Sequence, residues 1–147
     1  MTLNDELKTT VIKDLEGQFN ISNLDKYVSE NGKTLNFLYN KGIIDDTSIE
    51  GVLEKVVIRE ARSDFLLMIN NKRPYVIYPD HLLRPECLAY ALDKGKFSKE
   101  EIEQIPFDHG DTAKIFVQRY NKENLIKELA IGIKEKANII IGSGPAE

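Results

Sequence analysis

The 147-residue sequence contains one cysteine, two histidines and no long apolar run. One cysteine cannot form an internal disulfide, so the chain is expected to fold without a disulfide framework, as proteins of a reducing cytoplasm do. No apolar stretch approaches the roughly 20 residues that cross a bilayer. The polar start, MTLNDELK, predicts no signal peptide. These absences together predict a cytoplasmic protein that does not enter a membrane.

Catalytic and metal-binding spacings such as H-E-x-x-H and C-x-x-C are also missing from the sequence. The net charge of −4 argues against an extended electrostatic surface for binding nucleic acid. The hydrophobic content of 41% is ordinary for a globular protein, and a chain of this length buries enough surface to fold unaided. We therefore expect one domain over residues 1–147, without a cofactor.

The central stretch 65–78, FLLMINNKRPYVIY, carries the prediction of fold class. Five consecutive large apolar residues are typical of a strand covered on both faces, and Tyr75–Tyr78 is aromatic and β-branched. Asn70-Asn71 suits the turn between them. Together with a strand at 56–61, these segments predict a three-stranded antiparallel meander near 56–61, 65–70 and 75–78.

One long helix is the alternative for part of this region. Apolar residues fall at helical spacing between Ser48 and Ile69, which would make that stretch a single amphipathic helix. The residues that carry this spacing are Ile49, Val52, Leu53, Val56 and Val57.

Short helices are predicted before the meander, within residues 1–45. The first is expected to end near Gln18, the second at Asn31-Gly32 and the third at Gly42, because glycine and asparagine favour helix ends. Thr47 and Glu50 have the spacing of a capping box, which predicts a further helix start.

Helices and one or two short strands are predicted after the meander, which gives an α+β fold with its core at 46–141. A helix is expected from Pro85 to Lys94, ending at Gly95, and Ser98 with Glu101 predicts a capping box. Strands are predicted at 112–120 and at 139–141, although an apolar tail that pairs with a partner is the alternative for 139–141. Asn121 is expected to cap a final amphipathic helix, and residues 142–147 a flexible tail.

Two Asp-His loops form the first candidate site. Mixed histidine and carboxylate ligands suit Zn²⁺, Mn²⁺ or Fe²⁺, and a His–Asp pair also suits general base chemistry. Arg84 and Glu86 lie near enough in sequence to join such a site. The simpler interpretation is that these aspartates are turn residues and the histidines surface groups. The candidate metal ligands are Asp80, His81, Asp108, His109 and Asp111.

Basic residues around the predicted hairpin form the second candidate site. Together with Tyr75 and Tyr78 they suit a small patch for phosphate or RNA, although solvated charges that protect a sheet edge are the simpler interpretation. The basic residues are Arg59, Arg62, Lys72 and Arg73.

Two further features resemble functional motifs only in part. Cys87 lies in the first turn of a predicted helix, where a thiolate is favoured, but a lone cysteine is more often a small buried residue. Gly142-Ser143-Gly144 after Ile139–Ile141 resembles the opening of a dinucleotide-binding turn. No helix follows these glycines to hold a pyrophosphate, so we predict no nucleotide site there.

The leading prediction is a non-catalytic interaction or assembly protein. It would associate with a protein partner or with itself, through an open sheet edge and the apolar C-terminal segment. The first alternative is a small metal-dependent hydrolase, similar to a phosphoesterase or nuclease, that uses the Asp-His loops. The second is a regulator that binds nucleic acid through the N-terminal helices, which the acidic net charge disfavours.

Overall fold

The computed structural model describes residues 3–71, 84–107 and 110–137, and side chains from Asp5 onward within them. These residues form seven α-helices and a short 3₁₀ turn at Ile21–Asn23, and they contain no strand. The helices are α1 (Leu3–Gln18), α2 (Leu24–Asn40), α3 (Asp46–Asn71), α4 (Arg84–Asp93), α5 (Lys99–Gln104), α6 (Ala113–Tyr120) and α7 (Leu125–Ala137). The described fold is therefore all-helical, and the predicted α+β class is wrong.

The backbone contacts divide the chain into two compact units. The first comprises residues up to Lys55 together with residues from Ile126 onward, and the second runs from Val56 to Leu125. Helix α3 contributes residues to both units. That the chain folds as one domain stays a prediction.

Helix α3 replaces the first two predicted strands of the meander, 56–61 and 65–70, and the helical alternative is correct. The third predicted strand, 75–78, lies outside the described residues. Helical period explains the outcome, because burial along α3 recurs every three or four residues, whereas a strand would alternate. The buried residues are Ile49, Val52, Leu53, Val56, Val57, Ala61, Asp64, Phe65 and Met68.

The predicted strand at 112–120 is also wrong, because Ala113–Tyr120 is helix α6. The apolar residues that suggested a strand point in different directions around the helix. Phe116 is buried and Ile115 is exposed, with Val117 between these extremes. The strand predicted at 139–141 and the tail at 142–147 lie outside the described residues.

The N-terminal helices were predicted with one error. Helix α1 ends at Gln18 as expected, but the second and third predicted helices form one helix, α2. The predicted break survives as a local irregularity at Asn31, where φ is −118° and ψ is 16°. There the Asn31 side chain donates a hydrogen bond of 2.9 Å to the Tyr27 carbonyl oxygen, since asparagine competes for backbone partners.

Glycine ends α2, as predicted. Gly42 has a φ of 72°, which costs glycine little. Its N–H donates to the Tyr39 carbonyl at 3.0 Å, and the Ile43 N–H donates to the Leu38 carbonyl at 2.9 Å. This is a Schellman motif, which satisfies carbonyls that the helix leaves open.

The start of α3 lies slightly earlier than the sequence suggested. Asp45 caps the helix, because its Oδ1 accepts hydrogen bonds from the Ser48 N–H at 2.8 Å and from the Ser48 hydroxyl at 2.7 Å. Thr47, the predicted cap, lies inside the helix. Asp45 therefore fixes the start of α3 two residues before the predicted capping box would.

In the first unit, a polar contact joins α7 to the start of α3. Lys134 Nζ lies 2.7 Å from Asp46 Oδ1 and 5.5 Å from the centroid of the Tyr39 ring. The Tyr39 hydroxyl donates to the same Asp46 oxygen at 3.4 Å. Burial, followed by the nearby Asp46 carboxylate, raises the pKa of Tyr39 above its ordinary value. Lys134 and Lys136 occupy the last turn of α7, whereas Asn121 ends α6 instead of capping α7 as predicted.

The second unit has an aromatic and aliphatic core, in which α4 packs against α6. The Ser98 hydroxyl accepts from the Glu101 N–H at 3.1 Å, and Glu101 accepts from the Ser98 N–H at 2.9 Å, which confirms the predicted capping box. The buried core residues are Ala61, Phe65, Met68, Leu88, Ala89, Ala91, Leu92, Phe97, Ile105 and Phe116.

Candidate functional site

The structure describes one of the five predicted metal ligands. Asp80, His81, Asp108 and His109 lie outside the described residues, so the convergence of the two Asp-His loops stays a prediction. Asp111 is described, and both of its carboxylate oxygens are engaged by Arg119, at 2.6 and 3.3 Å. Within the described ranges, no three or more His, Cys, Asp or Glu side chains are placed to hold a metal ion.

Arg62 belongs to the predicted basic patch, and its guanidinium binds groups of its own unit. Nη1 donates to the Lys96 carbonyl at 3.0 Å, and Nη2 donates to Glu101 Oε2 at 2.5 Å. The guanidinium also lies over the Phe97 ring, 5.0 Å from its centroid. Arg62 therefore ties α3 to the segment that leads into α5, and its charge is already balanced by a carboxylate.

The rest of the predicted patch is dispersed or undescribed. Arg59 is exposed one turn before Arg62 on the same helix, and Lys72 and Arg73 lie outside the described residues.

The Glu101 carboxylate, which balances Arg62, has its pKa lowered first by the hydrogen bond from the Ser98 N–H and then by Arg62.

Cys87 is fully buried in the second unit. Its pKa is raised above the ordinary value, first by burial and then by the negative charges of Glu60, Asp64 and Glu86, while Arg84 acts in the opposite sense. A nucleophilic cysteine needs a lowered pKa and access to a substrate. The interpretation of Cys87 as a small buried residue is confirmed.

A buried ion pair at the start of α4 was not predicted. Asp64 has 1% of its surface exposed, and Arg84 Nε donates to its Oδ1 at 2.8 Å, with a second bond from Nη2. Nearby, Glu86 Oε2 is buried and has no hydrogen-bond partner among the described residues. The available signal was the position of Asp64 on the buried stripe of α3, three residues after Ala61.

The exposure of two adjacent leucines on the other side of α3 was also not predicted. Leu66 is 57% exposed and Leu67 is 49% exposed, while their neighbours Phe65 and Met68 are buried in the core. We call the exposed surface around these leucines the α3 face. It consists of Arg59, Arg62, Ser63, Leu66, Leu67, Asn70 and Asn71.

Comparison with protein-family models, with curated proteins and with solved structures finds no match for this chain. Across the described helices, none is both long and apolar enough to cross a membrane.

Proposed function

We propose that this chain is a non-catalytic interaction protein that binds another protein surface through the α3 face. The observation that carries the proposal is the exposure of two adjacent leucines, Leu66 and Leu67, at 57% and 49%. Contiguous exposed apolar side chains rimmed by polar residues are typical of interaction sites. The sheet edge expected from the sequence is absent from the described residues, so this face takes its place in the proposal.

The strength of such binding is limited by the size of the apolar pair. Burying one leucine fully is worth roughly 1.5–3 kcal/mol, and the exposed parts of Leu66 and Leu67 together amount to about one leucine. Association costs an estimated 4–15 kcal/mol in lost freedom of motion. We therefore expect weak binding that also uses polar contacts around the leucines, in keeping with a transient partner in the cytoplasm.

The described residues favour this role over the other two candidates. Asp111 is occupied by Arg119, which removes it as a free ligand in the proposed metal-dependent hydrolase. Arg62 is occupied by Glu101, which leaves less positive charge for a nucleic-acid phosphate. These contacts support a protein-binding surface whose centre is apolar and whose surroundings are polar.

Capture experiments with matched variants test the proposal. The immobilised wild-type chain is incubated with cell extract and, separately, with its own purified chain, next to the double variant Leu66→Glu/Leu67→Glu. The control is Ile115→Glu, which places the same charge on an exposed apolar position of α6. We expect the Leu66/Leu67 variant alone to lose capture, because a carboxylate cannot be buried against an apolar partner without a large cost. Equal capture by all three proteins, or capture by none, would contradict the proposal.

A further inference from the structure

We propose that Asn31 is a site of spontaneous deamidation in the native chain, and that modification there loosens the packing of α7 on α2. Asn31 is the only asparagine in the sequence that is followed by glycine. Glycine has no side chain to shield its backbone nitrogen, and it leaves the backbone free to rotate. The pair Asn31-Gly32 therefore has the composition at which an asparagine side chain reacts most readily with the main chain.

The reaction requires only the chain and water. The Gly32 backbone nitrogen gives up its proton and attacks Cγ of Asn31, so that a bond forms between these two atoms. The bond from Cγ to Nδ2 breaks, and Nδ2 leaves as ammonia with the proton that the attacking nitrogen lost. Water then opens the resulting cyclic succinimide at either of its carbonyl groups, which gives aspartate or isoaspartate at residue 31.

The structure places this pair where α2 departs from helical geometry. Asn31 has a φ of −118° and a ψ of 16°, whereas a regular α-helix has about −63° and −42°. A helix opens most readily at such an irregularity, because fewer regular contacts hold the backbone there. Asn31 and Gly32 are both partly exposed, so water reaches them. The break in α2 therefore provides the local opening that the attack needs.

Contacts of both residues oppose the attack while α2 is closed. Nδ2 of Asn31, which is the leaving group, donates a hydrogen bond of 2.9 Å to the Tyr27 carbonyl oxygen. Gly32 packs against the last residue of α7, since a Cβ built on Gly32 would lie 3.5 Å from Cα of Ala137 and 3.6 Å from its Cβ and its carbonyl oxygen. The side chain and the Gly32 nitrogen must leave these positions to meet, so the native chain reacts more slowly than the unfolded chain.

Either product fits the closed helix less well than asparagine does. Aspartate at residue 31 has no N–H to donate to the Tyr27 carbonyl, and it turns an unpaired oxygen toward that carbonyl. Isoaspartate carries the main chain through its Cβ, which adds an atom to the backbone and displaces Gly32 from Ala137. The modified chain therefore holds the end of α7 less firmly.

Deamidation of the full chain with a matched variant tests the site. The native protein is incubated in mildly alkaline buffer at physiological temperature, next to the same protein in urea, and digestion with mass spectrometry follows conversion at each asparagine. The control is Gly32→Ala, whose methyl group shields the attacking nitrogen while meeting Ala137 at an ordinary van der Waals distance. In the native chain we expect conversion at Asn31 to be faster than at any other asparagine and about ten times slower than in urea. Gly32→Ala is expected to lower the rate about tenfold in both conditions, because the effect is on the attack itself.

Limited proteolysis tests the link to α7. Asn31→Asp is a homogeneous form of one product, and Asn36→Asp is its control because it adds the same charge elsewhere on α2. We expect trypsin to cleave Asn31→Asp after Lys134 or Lys136 about ten times faster than the wild type or Asn36→Asp, because cleavage follows local opening. Equal cleavage of the two variants would overturn the link to α7. Native protein that stays unmodified at Asn31, or that converts its other asparagines as fast, would overturn the site, and equal rates in buffer and urea would overturn the restraint by α2.

Discussion

The buried ion pair between Asp64 and Arg84 gives the sharpest prediction about stability. Arg84→Met leaves the Asp64 carboxylate, 1% exposed, inside the second unit without the Arg84 cation. Removing one partner of a buried ion pair typically costs about 3–5 kcal/mol of unfolding free energy. Asp64→Asn is expected to cost less, about 1–3 kcal/mol, because the amide still accepts a hydrogen bond and the Arg84 side chain, 26% exposed, can reach water.

The double variant distinguishes a charge effect from a packing effect. If the cost of Arg84→Met comes from a buried charge, adding Asp64→Asn removes that charge and restores part of the lost stability. The control is Arg119→Met, which breaks a more exposed pair with Asp111 and is expected to lower the unfolding free energy only slightly. Urea denaturation followed by far-UV circular dichroism measures the unfolding free energy of the four variants and of the wild type. An Arg84→Met cost no larger than that of Arg119→Met would refute the reasoning.

Three further predictions concern backbone conformation, pH and thiol reactivity. Gly95→Ala is expected to lower the unfolding free energy by about 1 kcal/mol, because Gly95 has a φ of 70°. Gly17→Ala, in helix α1, is expected to raise the unfolding free energy by about 0.4–1 kcal/mol. Urea denaturation of both variants measures the two changes. The Ser48 hydrogen bonds lower the pKa of Asp45 from its ordinary 3.8, so its contribution to stability is present above that pH and lost as pH falls through the lowered value. Asp45→Asn should therefore flatten the acid side of the stability profile, by at most about 1 kcal/mol because the carboxylate is exposed. Burial raises the pKa of Cys87, so Ellman's reagent at pH 8 should label it only in urea, and rapid labelling of the native protein would argue otherwise.

Some helix ends were predictable because single residues determine them, although the caps predicted at Thr47 and Asn121 were wrong. Ser98 and Glu101 form the capping box that their spacing implied, and Gly42 and Gly95 end α2 and α4 with φ near 70°. These signals depend on local hydrogen bonds, which a short sequence window contains in full. Asn31 gave a partly correct signal, since it disturbs α2 without ending it.

The central helix was ranked second to the meander because composition was given more weight than helical period. The β-branched and aromatic residues of α3 favour a strand by propensity, but tertiary packing overrides propensity when an apolar stripe has helical spacing. Asp64 interrupts that apolar stripe in the sequence. Its burial is compensated by Arg84, which lies 20 residues further along the chain. Long-range pairing of this kind is absent from any local pattern, and so is the engagement of Asp111 by Arg119.

Two of the five residues that suggested a strand now lie at the centre of the proposed binding surface. Within Phe65–Ile69, Phe65 and Met68 are buried in the core and Ile69 packs against it. Leu66 and Leu67 are exposed. A strand covered on both faces would bury all five, whereas a helix at the edge of a unit buries one side only. Because Leu66 and Leu67 contribute little to the core, polar substitutions there should leave the unfolding free energy within about 0.5 kcal/mol of the wild type. Loss of binding in the Leu66/Leu67 variant, at unchanged stability, would therefore be attributable to the surface itself.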